Sequence, residues 1–136
     1  MRAVVCRGPG KVAVEEIDDP KPLAGEVKIK IVAVGVCHTD LNFTSGNVPV
    51  PFPIVLGHEG AGVVVEVGPQ VRSIRVGDHV VCSIIGPCEE CFQCLRDDPA
   101  LCEGAPMYTG KMLDGTTRLS KGGEPIHTLH FQGSYA

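Results

Sequence analysis

Between residues 26 and 36 the chain reads E-V-K-I-K-I-V-A-V-G-V, which sets Val27, Ile29 and Ile31 on one side of an extended backbone and Lys28 and Lys30 on the other. A period of two predicts a half-buried strand. Val12-Ala13-Val14-Glu15-Glu16-Ile17 predicts another. Two runs, Gly62 to Val67 and His79 to Ile85, are almost continuously apolar and read as central strands. Helical spacing is scarce; only His38 to Phe43 and Cys91 to Arg96 fit short helices. Asp19-Pro20-Lys21-Pro22 and Pro49-Val50-Pro51-Phe52-Pro53 are extended loops, because proline fixes φ and supplies no amide donor.

Short β-branched runs among 17 glycines and 11 prolines favour a mainly β domain, a barrel or sandwich, over a parallel α/β sheet. With 136 residues the chain is one domain, long enough to bury a core. Twelve Lys and Arg against sixteen Asp and Glu, without runs of like charge, give a formal charge of −4. No basic face is available for nucleic acid or an anionic membrane. Too few apolar residues precede Arg7 for a signal-peptide core, and no run of about 18 forms a membrane span. A cytoplasmic location is expected, and there seven cysteines are metal ligands or buried thiols rather than disulfides.

From about residue 86 to 123 the apolar runs give way to Cys, Gly, Pro and charge. This lobe has little core of its own. Cys88, Cys91, Cys94 and Cys102 stand there as C-x2-C-x2-C-x7-C. Four thiolates that a loop can wrap round one ion suit a closed tetrahedral zinc site, whose binding energy can fold a core-poor segment. An iron–sulfur cluster is the rival. Bacterial ferredoxins, however, place the fourth cysteine after three residues and before a proline. Here it follows seven residues and precedes Glu103.

Gly35-Val36-Cys37-His38-Thr39-Asp40 ends one strand run, and Gly57-His58-Glu59-Gly60 introduces the next. A Cys and a His are zinc ligands, and Asp40 and Glu59 are carboxylates of the kind that orient a ligating imidazole. On spacing alone, ligation by Cys37 and His58 and simple core packing are evenly matched.

These motifs in this order, with V-G-D-H-V before the lobe and L-D-G-T-T-R-L-S after it, resemble the N-terminal domain of zinc-dependent medium-chain alcohol dehydrogenases. The resemblance implies a GroES-like β-barrel with short helices and a cysteine-rich structural-zinc lobe, spanning residues 1–136. It implies that Cys37 and His58 are ligands of a catalytic zinc, with Asp40 and Glu59 supporting them. The four lobe cysteines are implied to hold a structural zinc. Thr39 matches the hydroxyl that starts a proton relay from the substrate alcohol, and His38 the position that touches the coenzyme pyrophosphate. Val48 and Ile84 match walls of the substrate pocket. The implied reaction is zinc-assisted hydride transfer from a primary or aromatic alcohol to NAD or NADP, giving an aldehyde. A homo-oligomer is implied for the full-length enzyme. A thiol-linked formaldehyde dehydrogenase is a neighbouring possibility within the family, and a non-catalytic zinc-binding or assembly module is the alternative outside it.

Departures qualify the match. Asn42 stands where liver-type enzymes carry the His that ends the relay, and it does not titrate. Ile84 replaces a pocket Phe, leaving room for a bulkier alcohol. Glu89 replaces a glycine after the first lobe cysteine. The family's third catalytic-zinc ligand and its dinucleotide-binding domain fall downstream of Ala136, so the chain alone is expected to be an inactive, truncated part. The closing H-F-Q-G-S-Y-A is expected to stop inside what resembles a family strand. Gly8 to Ala13 fits G-x-G-x-x-G/A but precedes a strand and contains Pro9, so it is read as a hairpin and not as a coenzyme site. His79 is expected to be a partly buried strand residue, His127 and His130 to be solvated, Cys6 and Cys82 to be inert core thiols, and Phe92 and Tyr108 to pack the lobe.

Overall fold

The computed structural model describes residues 1–104 and 108–136. Among the described residues, eight strands form two sheets. One sheet has the order β2-β1-β4-β8-β7, built from β1 (Arg2–Gly8), β2 (Lys11–Glu16), β4 (Ile54–Val55), β7 (Leu119–Lys121) and β8 (Glu124–Thr128). The other has the order β3-β5-β6, built from β3 (Val27–Val34), β5 (Gly60–Val67) and β6 (His79–Val81). Two short helices, α1 (His38–Thr44) and α2 (Phe92–Leu95), complete the regular structure with 3-10 turns at Pro99–Leu101 and Leu129–Phe131. The curved sheets face one another across an open cavity of about 680 Å³, lined by Ile29 and Ile31 from one side and Leu119 and Thr128 from the other. This is the half-open barrel expected of a GroES-like domain.

The alternation in β3 has its expected consequence: Ile29 and Ile31 face the cavity, while Lys30 is exposed. Cys6, Phe43, Ile54, Leu56 and Leu129 form one buried cluster, which brings α1 down onto the first sheet. Ala3, Val5, Ile17, Val55, Leu119 and Ile126 form another. Burying a side chain the size of Phe43 contributes roughly 1.5–3 kcal/mol, so helix α1 is held by its core contact more than by its seven-residue length.

Several expectations are corrected. The apolar run from His79 stops as a strand at Val81 and lies at a sheet edge, with Val81 82% exposed and His79 exposed too. Cys82, just beyond that strand, is only partly buried and lines the cavity, whereas Cys6 is core. Gly8 and Gly10 do turn a hairpin between β1 and β2, so no helix opens there. The closing segment is a 3-10 turn followed by further turns rather than a strand, although the Val4 amide donates to the Tyr135 carbonyl at 2.8 Å.

The D-G-T-T-R segment also has a physical role. Arg118 donates from Nε and Nη2 to the Glu26 carboxylate (2.8 and 2.6 Å) and from Nη2 to Asp114 (2.6 Å). The forked guanidinium thereby ties the return from the lobe to the start of β3.

Candidate metal centres

The antiparallel ladder of β3 and β5 ends with Val34 opposite Gly60, and the Gly35 amide still donates to the Glu59 carbonyl at 3.1 Å. Immediately past that end, the chain leaving β3 carries Cys37 and the chain entering β5 carries His58 and Glu59. One ligand atom of each, a sulfur, a ring nitrogen and a carboxylate oxygen, lies within 4.8 Å of the others. A glycine at 35 permits this approach: a Cβ there would land on Glu59 Oε2 and 3.0 Å from Glu59 Cβ and Cδ.

Cys37 caps helix α1. Its thiol accepts from the Thr39 amide at 3.5 Å, and its own amide donates to Asp40 Oδ2 at 3.2 Å, a reciprocal box that orients sulfur and carboxylate together. Asp40 is buried. Its Oδ1 accepts from the Gly57 amide at 3.2 Å and lies 3.5 Å from His58 Nδ1, a buried nitrogen with no hydrogen-bond partner. A carboxylate beside Nδ1 favours the proton on that nitrogen and leaves Nε2 as the lone-pair donor. A sulfur, an imidazole and a carboxylate are the donor types zinc takes at open sites, so these residues fit the ion.

In the lobe, the sulfurs of Cys88, Cys91, Cys94 and Cys102 lie within 4.8 Å of one another, all partly buried. The Cys88 amide donates to Cys102 Sγ and the Cys91 amide to Cys88 Sγ, each at 3.3 Å. Backbone amides of Cys94 and Glu103 pull the Cys91 thiol down to about 6. Desolvation, then hydrogen bonding with the Cys91 sulfur, pushes Cys94 up to about 12. A divalent ion among the four sulfurs would favour the thiolate form of each. Neither α2 nor the following 3-10 turn buries a residue, so these two elements offer no apolar core in its place.

Other predicted positions are spread more widely. Thr39 is partly buried and His38 exposed, both on the first turn of α1. Asn42 is partly buried on the same helix. Val48 packs against the Phe43 cluster, and Ile84 is exposed. Phe92 is exposed and carries the Arg96 guanidinium 5.1 Å over its ring, a surface contact rather than buried packing. Tyr108 sets its ring against Phe43 and His130 instead.

Two residues near the Cys37–His58 centre escaped the sequence reading. His130 was expected to be solvated but is buried, edge-on to the His58 ring at 5.5 Å; burial and then His58 lower its pKa. Its left-handed backbone, φ 48°, turns it inward, and residue spacing gives no sign of that. Tyr135 is the other: its hydroxyl donates to Asp40 Oδ2 at 2.8 Å. Its one available sequence signal, a tyrosine closing the H-F-Q-G-S-Y-A segment, has no periodicity to mark it.

Residues 23–125 match the alcohol dehydrogenase GroES-like domain family. The chain is 48% identical to an S-(hydroxymethyl)glutathione dehydrogenase of Escherichia coli, over 97% of this chain and 36% of that protein. Among solved structures, an alcohol dehydrogenase zinc-binding domain protein from Burkholderia ambifaria superposes with a TM-score of 0.90 at 41% identity, covering 98% of this chain and 37% of the other. Benzyl alcohol dehydrogenase from Acinetobacter calcoaceticus gives 0.86 at 36% identity, covering 98% and 36%. The chain therefore spans little more than a third of the length of these relatives.

Proposed function

The chain belongs to the zinc-dependent medium-chain alcohol dehydrogenase family, and on that premise we propose that residues 1–136 supply the zinc-binding part of an NAD- or NADP-dependent oxidation of primary or aromatic alcohols to aldehydes. The observation that carries this reading is the convergence of Cys37, His58 and Glu59 over a buried Asp40. Cys37 Sγ and His58 Nε2 would hold the reactive zinc, with the Glu59 carboxylate, expected from the sequence only to support them, as the third donor that this chain itself supplies, and the four lobe cysteines would hold a second, structural ion. Zinc bound at the first centre supplies Lewis-acid chemistry that makes an alcohol proton easier to remove.

The chain's own residues do the rest. Asp40 keeps the His58 proton on Nδ1 and so keeps Nε2 free to ligate. Thr39, on the first turn of α1, takes the substrate proton on Oγ1 and passes it outward. Asn42 cannot accept it, so the proton leaves to solvent or to the coenzyme ribose. His38 is exposed on the same turn, and its assigned role is contact with the coenzyme pyrophosphate. Val48 and Ile84 form part of the substrate wall.

Zinc content tests the centres. Protein purified with zinc present is expected to hold two ions per chain, and Cys37→Ser or Cys91→Ser to hold one. Fusing the chain to a dinucleotide-binding domain of the family then allows alcohol-dependent reduction of NAD or NADP to be assayed. Two bound zincs with no reduction by any primary, secondary or aromatic alcohol would leave a non-catalytic zinc-binding module as the reading. The 48% identity to an S-(hydroxymethyl)glutathione dehydrogenase favours one second substrate, a thiol-linked hydroxymethyl group, and the same fusion assayed with S-(hydroxymethyl)glutathione decides between them.

A further inference from the structure

We propose that Tyr135 is a positioning residue for the Cys37–His58–Glu59 centre: its hydroxyl holds the Asp40 carboxylate, and through it the His58 ring, in the ligating arrangement. The inference rests on the reading of Cys37 and His58 as metal ligands. Three donors reach Asp40 from three parts of the chain. The Cys37 amide at the start of α1 reaches Oδ2 (3.2 Å), the Gly57 amide before His58 reaches Oδ1 (3.2 Å), and the Tyr135 hydroxyl reaches Oδ2 (2.8 Å). The two amides belong to segments that carry the ligands themselves and move with them. Tyr135 alone comes from a segment that supplies no ligand, so it is the fixed reference against which the carboxylate is held.

The surroundings are shaped to receive that ring. Gly57 has φ +86°, and a Cβ there would lie 2.7 Å from Tyr135 Cδ1 and 2.9 Å from its backbone nitrogen, so the turn before His58 admits the ring only as glycine. Backbone bonds lock the same segment: the Tyr135 amide donates to the Leu56 carbonyl and the Ser134 amide to the Gly57 carbonyl, each at 3.1 Å. Tyr135 also packs against both buried apolar clusters, so its hydroxyl has little freedom to wander. The hydroxyl has one proton and two acceptors in reach, Asp40 Oδ2 and the Gly35 carbonyl at 3.3 Å. The charged and nearer one takes it. Burial and the Asp40 contact raise the tyrosine's pKa, which keeps that proton in place.

Without the hydroxyl, Oδ2 retains only the Cys37 amide. Oδ1 keeps the Gly57 amide, but both remaining donors ride on the ligand-bearing segments, so the carboxylate loses its tie to the rest of the fold and Oδ1 is held less firmly opposite His58 Nδ1. Removing a group that directly supports a ligand costs about 10–100-fold in metal affinity, and Tyr135 acts one residue further out. The expected loss for Tyr135→Phe is therefore about threefold to tenfold at this centre.

The test is a cobalt(II) titration of the full chain, read from the visible absorption that separates a four-thiolate site from a one-thiolate site, with nitrogen NMR of the His58 ring alongside. Tyr135→Phe should weaken the Cys37 centre, leave the lobe centre unchanged as an internal control, and shift the neutral His58 ring from one Nδ1–H tautomer toward a mixture. In an Asp40→Asn background the same substitution should add nothing, whereas a merely structural role would add its effect again. Unchanged or tighter binding at the Cys37 centre with an unchanged tautomer overturns the proposal while the metal reading stands. Should cobalt never occupy that centre, the metal reading fails, and the tautomer shift alone decides whether Tyr135 positions the ring.

Discussion

Replacing Gly35 by alanine puts a methyl group where the Glu59 carboxylate lies, on top of Oε2 and 3.0 Å from Cβ and Cδ. Gly35 does not have a positive φ, so alanine accepts the backbone as it stands. The gross overlap is with the far end of a flexible side chain, which can swing away at a cost of about 0.5–1.5 kcal/mol, while the Glu59 Cβ, fixed by its backbone, needs only a small shift. Alanine also restricts the unfolded chain, which returns about 0.4–1 kcal/mol. Folding stability should change by less than about 1 kcal/mol on balance. Metal binding should suffer far more. With the carboxylate displaced, three converging donors become two, and affinity at the Cys37–His58 centre should fall about 10–100-fold, or about 1.4–2.8 kcal/mol. Urea unfolding of metal-free protein measures the first quantity, and competition for zinc against a chelator measures the second. Glu59→Ala should match Gly35→Ala in affinity, and the double variant should be no weaker than either. If Gly35→Ala binds zinc as tightly as the parent while Glu59→Ala does not, the steric reasoning is wrong. A stability loss of several kcal/mol would show instead that the backbone, not the side chain, gives way.

Three further outcomes are expected. Stripping metal with a chelator, or Cys91→Ser, should abolish amide-exchange protection across residues 88–102 and leave β1, β3 and β5 protected, because structural zinc supplies about 10–16 kcal/mol and the lobe's helices bury nothing to replace it. Glu15 is held down from 4.5 to about 2, first by Arg7 and then by Lys121, so its contribution is present above pH about 4.5 and is lost as the pH falls toward 2. Glu15→Gln should flatten stability over that window, read by thermal unfolding at successive pH values. Glu89 has φ 63°, the left-handed region that costs a non-glycine residue roughly 1–2 kcal/mol. Glu89→Gly, after glycine's own entropy loss of roughly 0.5–1 kcal/mol, should stabilise the zinc-loaded lobe by up to about 1 kcal/mol, measured by exchange rates in the lobe.

What could be read beforehand follows from how local each feature is. Four cysteines within fifteen residues announce a site by spacing alone, because any loop that closes must bring them together. Val27 to Ile31 shows its strand through side-chain alternation, and β3 and β5 are long enough to do so. By contrast β4 is two residues long and pairs in parallel with β8 across more than seventy positions of chain. No local pattern encodes such a pairing. β1 shows no clear strand pattern in the sequence because Arg2 and Arg7 confine its apolar run to four residues, although its burial is among the deepest in the molecule. Glu89 is a case in which the departure was visible and its meaning was not: only the backbone angle explains why glycine suits that position. Near the metal centre, Cys37 and His58 were legible through their motifs. Tyr135 and His130 were not, since their roles depend on a turn that places the chain's last residues against its fortieth and fifty-eighth.

The two sheets are joined where the chain crosses between them, and two of those crossings meet at one spot. Cys37 rides the passage from β3 to β4, and His58 and Glu59 ride the passage from β4 back to β5. An ion gripped by all three is a rivet through the seam of the barrel. Its grip then gauges how well the sheets are seated: slippage between them anywhere in the molecule would stretch the distances among three ligands and register as weaker metal binding. Core substitutions that leave all three ligands in place, such as Phe43 or Leu129 to smaller residues, should thus be detectable as changes in zinc occupancy before the fold itself fails.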